Sequence, residues 1–391
     1  MVGSDFETLT GPDRRRRMPR PGGLGGLVLV IGLAVGIGLV ALWPRETPTL
    51  DLSAIGFAGD TVQAEVGSVI PGPCSFSADA DCNVVEFLVN DEGSELFGET
   101  PEMEFPVEPG QPDLVAGDEV FLSVVELEDQ SIAYQYADRS RWPLLTGLTA
   151  LFALAVVGLG RLRGVAALAG LALSVAILVF FILPAIVQGR DAVLVALVGG
   201  GAIALVSLYL AHGYNPLTHV AAVGTFSALI LTVGLSALVV TLADFTGLVD
   251  EEAFYLLSIP TLDLSGLLLA GLVLGAIGAL DDVTVTQASA VWEVHSANPA
   301  LGSDALYSAG LRVGRDHIVS TVNTLLLAYA GASLPLLIIF TLSEQGLGVV
   351  ASSEVVAVEI ARTLVGSIGL VAAVPITTWL GSQMVPRTAD S

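Results

Sequence analysis

The sequence predicts an all-α polytopic membrane bundle of about eight transmembrane helices, with a small extracytoplasmic β-rich domain inserted after the first helix. Three observations carry that prediction. Of the 391 residues, 53% are hydrophobic and only 14% are charged, which is far from the composition of a soluble domain. Several stretches reach the roughly 20 apolar residues that a bilayer crossing needs. The net charge of −24 is also uneven, because 21 Asp and Glu stand between Arg45 and Arg141 against three Arg. That acidic stretch contains no membrane-length apolar run and reads as a separate domain.

The elements follow in chain order. Residues 1–23 are a polar and then basic cytoplasmic tail carrying Arg14-Arg15-Arg16-Arg17-Met18-Pro19-Arg20. The apolar run 24–42 is long enough to span, and Leu42-Trp43-Pro44-Arg45 is no small-residue cleavage site. An uncleaved signal anchor is therefore expected rather than a removed signal peptide. In residues 43–142 the β-rich runs Thr61–Val66, Val84–Val89 and Glu119–Val125 alternate with turn signals, which predicts a small barrel or sandwich. Both cysteines of the chain, Cys74 and Cys82, lie in this domain. In an oxidising compartment they are expected to close a short loop as a disulfide.

Residues 143–380 read as a seven-helix membrane domain, with helices near 143–159, 164–186, 192–211, 218–242, 264–281, 319–341 and 356–379. The segment 243–263 reads as a loop with a short amphipathic helix from Glu251 to Ser258, and 282–318 as a helical extension followed by a polar loop. Residues 381–391 form a cytoplasmic tail. With both termini inside, ten arginines (Arg14–Arg17, Arg20, Arg161, Arg163, Arg312, Arg315, Arg387) fall on the cytoplasmic side and four (Arg45, Arg139, Arg141, Arg190) outside. The arginine bias thus predicts a multi-pass plasma-membrane protein whose acidic domain is extracytoplasmic. Gly32 and Gly36, Gly271, Gly275 and Gly278, and the run Gly199-Gly200-Gly201 have spacings that let helices approach closely in lipid, within the chain or against a second copy or second membrane subunit.

Composition also excludes. An acidic chain without a single Lys offers no surface for nucleic acid. No HExxH and no Walker A loop occurs. Gly331-Ala332-Ser333-Leu334 begins like a membrane serine hydrolase motif but lacks the second glycine, and no histidine follows His317 to act as base. Gly278-Ala279-Leu280-Asp281 places Leu where a membrane aspartyl protease has Gly. A non-enzymatic role without cofactor is expected. His212, His219, His295 and His317 show no metal-ligand spacing and read as cytoplasmic loop residues.

The chemistry concentrates in Gly275-Ala276-Ile277-Gly278-Ala279-Leu280-Asp281-Asp282-Val283-Thr284-Val285-Thr286-Gln287-Ala288-Ser289-Ala290, where a glycine-rich apolar helix reaches two carboxylates and continues as a polar helix. Carboxylates in or beside a membrane span are expensive to desolvate and are functional by default. Adjacent helical residues point about 100° apart, so Asp281 and Asp282 cannot share a proton as a facing dyad. Asp282, Thr286, Ser289 and Glu293 share one helix face, and oxygen donors on one face suit a hard cation or a proton relay. Asn323, just inside the next apolar segment, is a candidate hydrogen-bond partner of that stripe. Glu359 and Arg362 in the last span stand at i and i+3 and can pair, which lowers their burial cost.

At these residues the chain resembles the YibE/F family of bacterial multipass membrane proteins. The resemblance runs over roughly residues 110–380 and rests on blocks in register: Val115-Ala116-Gly117-Asp118-Glu119-Val120; Phe181-Ile182-Leu183-Pro184; His212-Gly213-Tyr214-Asn215-Pro216-Leu217-Thr218 leading into Ala222-Val223-Gly224-Thr225; the Gly275–Ser289 block; Gly314-Arg315-Asp316 with Thr321-Val322-Asn323-Thr324; Ala330-Gly331-Ala332-Ser333-Leu334-Pro335; and Val365-Gly366-Ser367-Ile368-Gly369-Leu370 with Val374-Pro375-Ile376. It implies a membrane protein with Asp281, Asp282, Arg315, Asp316 and Asn323 as motif positions, and it implies no reaction or substrate. Two functions are then open. In one the chain is a transporter or permease, passing a small ion or solute along Asp281, Asp282, Thr286, Ser289, Glu293 and Asn323. In the other it is a non-transporting scaffold or sensor whose acidic domain binds an envelope component or divalent cation.

Overall fold

The computed structural model describes residues 23–45, 60–126, 131–343 and 346–385. The basic N-terminal tail and Arg387 lie outside the described residues. The chain divides into two compact units, one holding five strands with a helix after them, the other holding the remaining helices.

In the first unit, β1 (Asp60–Cys74), β2 (Ser77–Val89), β3 (Glu102–Pro106), β4 (Glu119–Glu126) and β5 (Ile132–Arg139) form one antiparallel sheet in the order β3-β2-β1-β4-β5. The sheet follows from period-two alternation: Val62, Ala64 and Val66, then Val85, Phe87 and Val89, then Val120 and Leu122 all turn inward and are buried. The sheet curls until its edge strands meet, where the Phe105 ring stands edge-on to Tyr136 with centroids 5.7 Å apart. Curling thus brings the two edge strands close through their side chains. At the far end of the β1–β2 hairpin Cys74 and Cys82 are joined in a disulfide. The β3 and β5 strands carry no long apolar run, and the sequence reading missed them. Helix α1 (Leu24–Leu42) precedes this sheet, and α2 (Trp142–Gly160) follows it.

The second unit is helical. It holds α1 and then α3 (Leu162–Ile177), which continues through a π-helical turn at Leu178–Ile182 into α4 (Leu183–Val187). Next come α5 (Ala192–His212), α6 (Pro216–Leu242), the short α7 (Glu251–Leu256), α8 (Leu264–Ala297), α9 (Ser303–Ala332), α10 (Leu334–Leu342), α11 (Leu347–Ser352) and α12 (Glu354–Met384). Among the described residues seven helices are long and apolar enough to cross a membrane, or eight if the bent pair α9–α10 is one span.

Three differences from the expected spans have local causes. Helix α8 runs unbroken for 34 residues, about 50 Å at the α-helical rise, and so outruns the ~30 Å hydrocarbon layer. Its extension packs along α9, which starts at Ser303 where a loop was expected up to residue 318. The expected uninterrupted helix over 319–341 instead breaks at Ser333 and bends by 66°, because Pro335 in the first turn of α10 cannot donate a backbone hydrogen bond. Likewise the π-helical turn precedes Pro184, and Leu183 donates to the Leu178 carbonyl five residues back.

Helix α8 is the axis of this unit and packs against α5, α6, α9 and α12. Glycines on its neighbours permit the approach. A Cβ on Gly200 would lie 2.0 Å from Ile277 Cδ1, one on Gly310 3.0 Å from Val291 Cγ2, and one on Gly314 2.7 Å from Gln287 Oε1. The expected close-approach positions Gly32, Gly36, Gly271 and Gly278 have open space beside them, and Gly275 meets only the Tyr329 hydroxyl. The loop after α6 is tied to α12 by the Glu354 carboxylate, which accepts from the backbone N–H groups of Thr246 at 2.6 Å and Gly247 at 2.8 Å.

Two outcomes follow from this packing. Gly247 has a φ of +84°, and a Cβ there would fall 2.4 Å from the Leu264 carbonyl oxygen. Gly247→Ala is expected to destabilise the protein by about 1–3 kcal/mol, read as a lower thermal midpoint of the purified full-length chain. In the β unit, burial and a hydrogen bond to the Glu99 carboxylate push the Tyr134 hydroxyl up to about 12. A raised value means the folded state holds the proton more tightly than the unfolded one. The stabilisation is therefore complete below the ordinary tyrosine value and disappears as pH rises through about 12. Ultraviolet titration of tyrosinate should show a late-ionising phenol that Glu99→Gln moves towards the ordinary range.

Candidate functional site: a buried polar seam around α8

The two aspartates of α8 face different ways. Asp282 is exposed, as are Thr286 and Glu293, while Ser289 is half-buried. The polar stripe chosen from the sequence therefore lies on the outer face of α8. Asp281, one residue and about 100° away, turns toward α5, where Ser207 Oγ donates to its Oδ2 at 2.7 Å. Its other oxygen, Oδ1, is buried and has no hydrogen-bond partner among the described residues.

Further polar groups share this inward face. Thr284, one helical turn beyond Leu280, is fully buried, with its hydroxyl 2.6 Å from that of Thr225 on α6. Gln287, also buried, donates to the Gly310 carbonyl of α9 at 2.9 Å and to Thr378 Oγ1 of α12 at 2.7 Å. On α6 the hydroxyls Thr218, Thr225, Thr232 and Ser236 are all buried. Their spacing of seven, seven and four residues keeps them on one face of that helix. Thr377 on α12 is buried opposite Gly224, where a Cβ would come within 2.2 Å of its Oγ1. The hydroxyls of Thr218, Ser236 and Thr377 are buried without a partner among the described residues. Native interiors rarely leave buried polar atoms unpaired, and where they do the atoms mark strain, function or a solvent site.

At the end of the seam near the α5–α6 turn stands His219. It is not a loop residue: it is buried in α6, with Nδ1 2.8 Å from the Tyr209 hydroxyl and its ring edge-on to Tyr214 at 4.4 Å. His212, His295 and His317 are also helical.

The remaining sequence candidates lie elsewhere. Asn323 is exposed on α9, and no hydrogen bond joins it to Asp282. Arg315 and Asp316 are exposed on the same helix. Glu359 and Arg362 do pair, at 2.7 Å. Among the described residues no group of three or more His, Cys, Asp or Glu comes together as a metal site. Sequence reasoning missed Ser207, Thr225, Gln287, Thr377 and Thr378. The available signal was the seven-residue repeat of threonines through the apolar α6 segment.

The seam is held by its pairs, so its loss is measurable. Gln287→Leu removes the hydrogen bonds that tie α8 to the Gly310 carbonyl of α9 and to Thr378 Oγ1 of α12, and is expected to destabilise the protein by about 1–3 kcal/mol. Gln287→Glu keeps the shape but faces the same carbonyl with an acceptor, and is expected to be at least as damaging by thermal unfolding.

No curated protein and no solved structure matches this chain. The family model described as YibE/F-like protein matches residues 148–387, a range that covers every helix lining the seam, and the chain belongs to the YibE/F-like family.

Proposed function

We propose that this protein is a membrane transporter or permease in which a proton moves along the buried seam, with Asp281 as its carrier. The observation that supports the reading is the state of that carboxylate: Oδ2 engaged by Ser207, Oδ1 buried and unpartnered. Its depth adds to this. Helix α5 has 21 residues, about 30 Å, the thickness of the hydrocarbon layer. Ser207 stands five residues before its end at His212, so the Ser207–Asp281 pair belongs about 8 Å inside that layer. An ionisable side chain at that depth is characteristic of ion pathways. Hydroxyls both donate and accept, so Ser207, Thr225, Thr284 and Thr377 can pass a proton that a carboxylate holds. The arginine distribution supports a plasma-membrane setting with cytoplasmic termini and the β domain outside.

A scaffold or sensor is the second reading, favoured by the exposure of Asp282 and the acidity of the β domain. Proteoliposomes loaded with a pH-sensitive dye and driven by an imposed membrane potential separate the two. Asp281→Asn is expected to lower proton flux at least tenfold, Ser207→Ala several-fold, and Asp282→Asn to leave it near wild type. Unchanged flux in Asp281→Asn removes the path. Wild-type flux no greater than in protein-free vesicles removes transport and leaves the scaffold.

A further inference from the structure

Three rings meet at the end of the seam, and one of them can change its charge. Helix α5 ends at His212, the chain turns through Gly213 at a φ of +75°, and α6 begins at Pro216. Across this turn Tyr209 of α5 stacks on Tyr214 at 5.8 Å. His219 of α6 stands against both rings, with Nδ1 2.8 Å from the Tyr209 hydroxyl. Tyr214 is exposed, whereas His219 is 1% exposed. His219 Nε2 is buried without a partner among the described residues, and so is the hydroxyl of the adjacent Thr218, the first of the α6 row.

Neutral imidazole suits this place and imidazolium does not. In either neutral tautomer Nδ1 shares one hydrogen bond with the Tyr209 hydroxyl. A second proton makes both nitrogens donors, and Nε2 then needs an acceptor that the packed ring does not meet. A counter-charge is missing as well: no ion pair among the described residues includes His219. Around the first turns of α6, α1 brings Val28, α8 brings Ala288 and Trp292, and α12 brings Leu380 and Met384. The titratable groups of these helices are turned elsewhere. His212 on α5 and Asp282 and Glu293 on α8 are exposed, and His295 lies one turn beyond Trp292. Asp281 is held by Ser207, about 200° around α5 from Tyr209. On α12, Glu354, Glu359 and Arg362 belong to the opposite end of the helix. The tyrosine rings attract a cation through their faces but give Nε2–H no acceptor. A buried charge in such a place is relieved by reaching water, and the exposed wall here is Tyr214, carried on the short turn.

We propose that His219 is a proton-operated latch on the end of the seam: neutral, it holds the three rings packed; protonated, it breaks out of them and lets water reach the Thr218 hydroxyl. On the topology proposed above this turn is cytoplasmic, so acid on that side would open the path there. That consequence rests on the proton-path reading; the latch itself does not.

The test places one free thiol, Thr218→Cys, in the full-length protein in nanodiscs, with Cys74 and Cys82 still paired. Its alkylation rate by a maleimide is divided by that of the exposed Ser296→Cys at the same pH, which cancels the common dependence of thiolate on pH. Between about pH 8 and about pH 5, the interval in which imidazole changes charge, the ratio is expected to rise at least tenfold. His219→Gln and His219→Asn, neutral throughout, are each expected to hold it constant within twofold. Tyr214→Ala, which removes the exposed wall, is expected to raise it at both pH values. A constant ratio with His219 present overturns the latch, as does a tenfold rise that persists in either neutral variant at an unchanged thermal midpoint. Proton flux in the proteoliposomes separates this from the path: a pH-dependent ratio without flux keeps the latch and removes the path, whereas flux that needs Asp281 beside a constant ratio keeps the path and removes the latch.

Discussion

Everything in the helical unit depends on how closely four helices approach α8. In lipid the hydrophobic effect gives helices no reason to associate, so van der Waals contact and interhelical hydrogen bonds must do so. Gly200 receives Ile277, Gly310 and Gly314 receive Val291 and Gln287, and away from α8 Gly224 receives Thr377 and Gly369 receives the Thr232 hydroxyl. Each contact sets the rotation of a helix as well as its distance, because a Cβ at the glycine would collide with the side chain that now fills the space.

That rotation decides the chemistry. With Ile277, Leu280, Thr284 and Gln287 facing inward, Asp281 is drawn to Ser207 and Asp282 is turned out. The seam is polar yet tightly packed. It lies between glycine-walled helices, its hydroxyls mostly return to carbonyls one turn back, as Thr225 does to Ala221 and Thr378 to Val374, and only a few groups remain unpaired. Pro375, inside α12 and two residues before Thr377, removes one helical donor from the same region.

Much of the fold was legible because membrane crossing demands long apolar runs, and each run appears in the sequence without knowledge of its neighbours. The alternating valines of β1 and β2 were legible for a comparable reason, a period of two. The Cys74–Cys82 disulfide and the Glu359–Arg362 pair, whose partners are near in sequence, were legible too, whereas most contacts between distant helices were not. The spacing of Gly271, Gly275 and Gly278 resembles a packing motif, but the contacts within the chain fall on Gly199–Gly201, Gly224, Gly310 and Gly314, and spacing does not say which glycine faces a neighbour. The breaks at Pro184 and Pro335 were written in the sequence and were passed over because hydropathy averages across a proline. The inward face of α8 was misassigned for a physical reason as well. Counting polar residues on one face finds the wet side of a helix that outruns the bilayer, whereas the buried side carries fewer polar groups, Asp281, Thr284 and Gln287, each bonded to a neighbouring helix.

The pairing of Asp281 and Asp282 gains its meaning from this geometry. Two adjacent carboxylates on a free helix are equivalent. Once α8 is locked by glycine contacts on one side, a rotation of about 100° separates a carboxylate in the packed interior from one outside it. Each glycine contact that fixes the rotation of α8 therefore also fixes which carboxylate is inside. A change at Gly200, Gly310 or Gly314 acts on Asp281 without touching it, through the angle at which α8 presents it to Ser207.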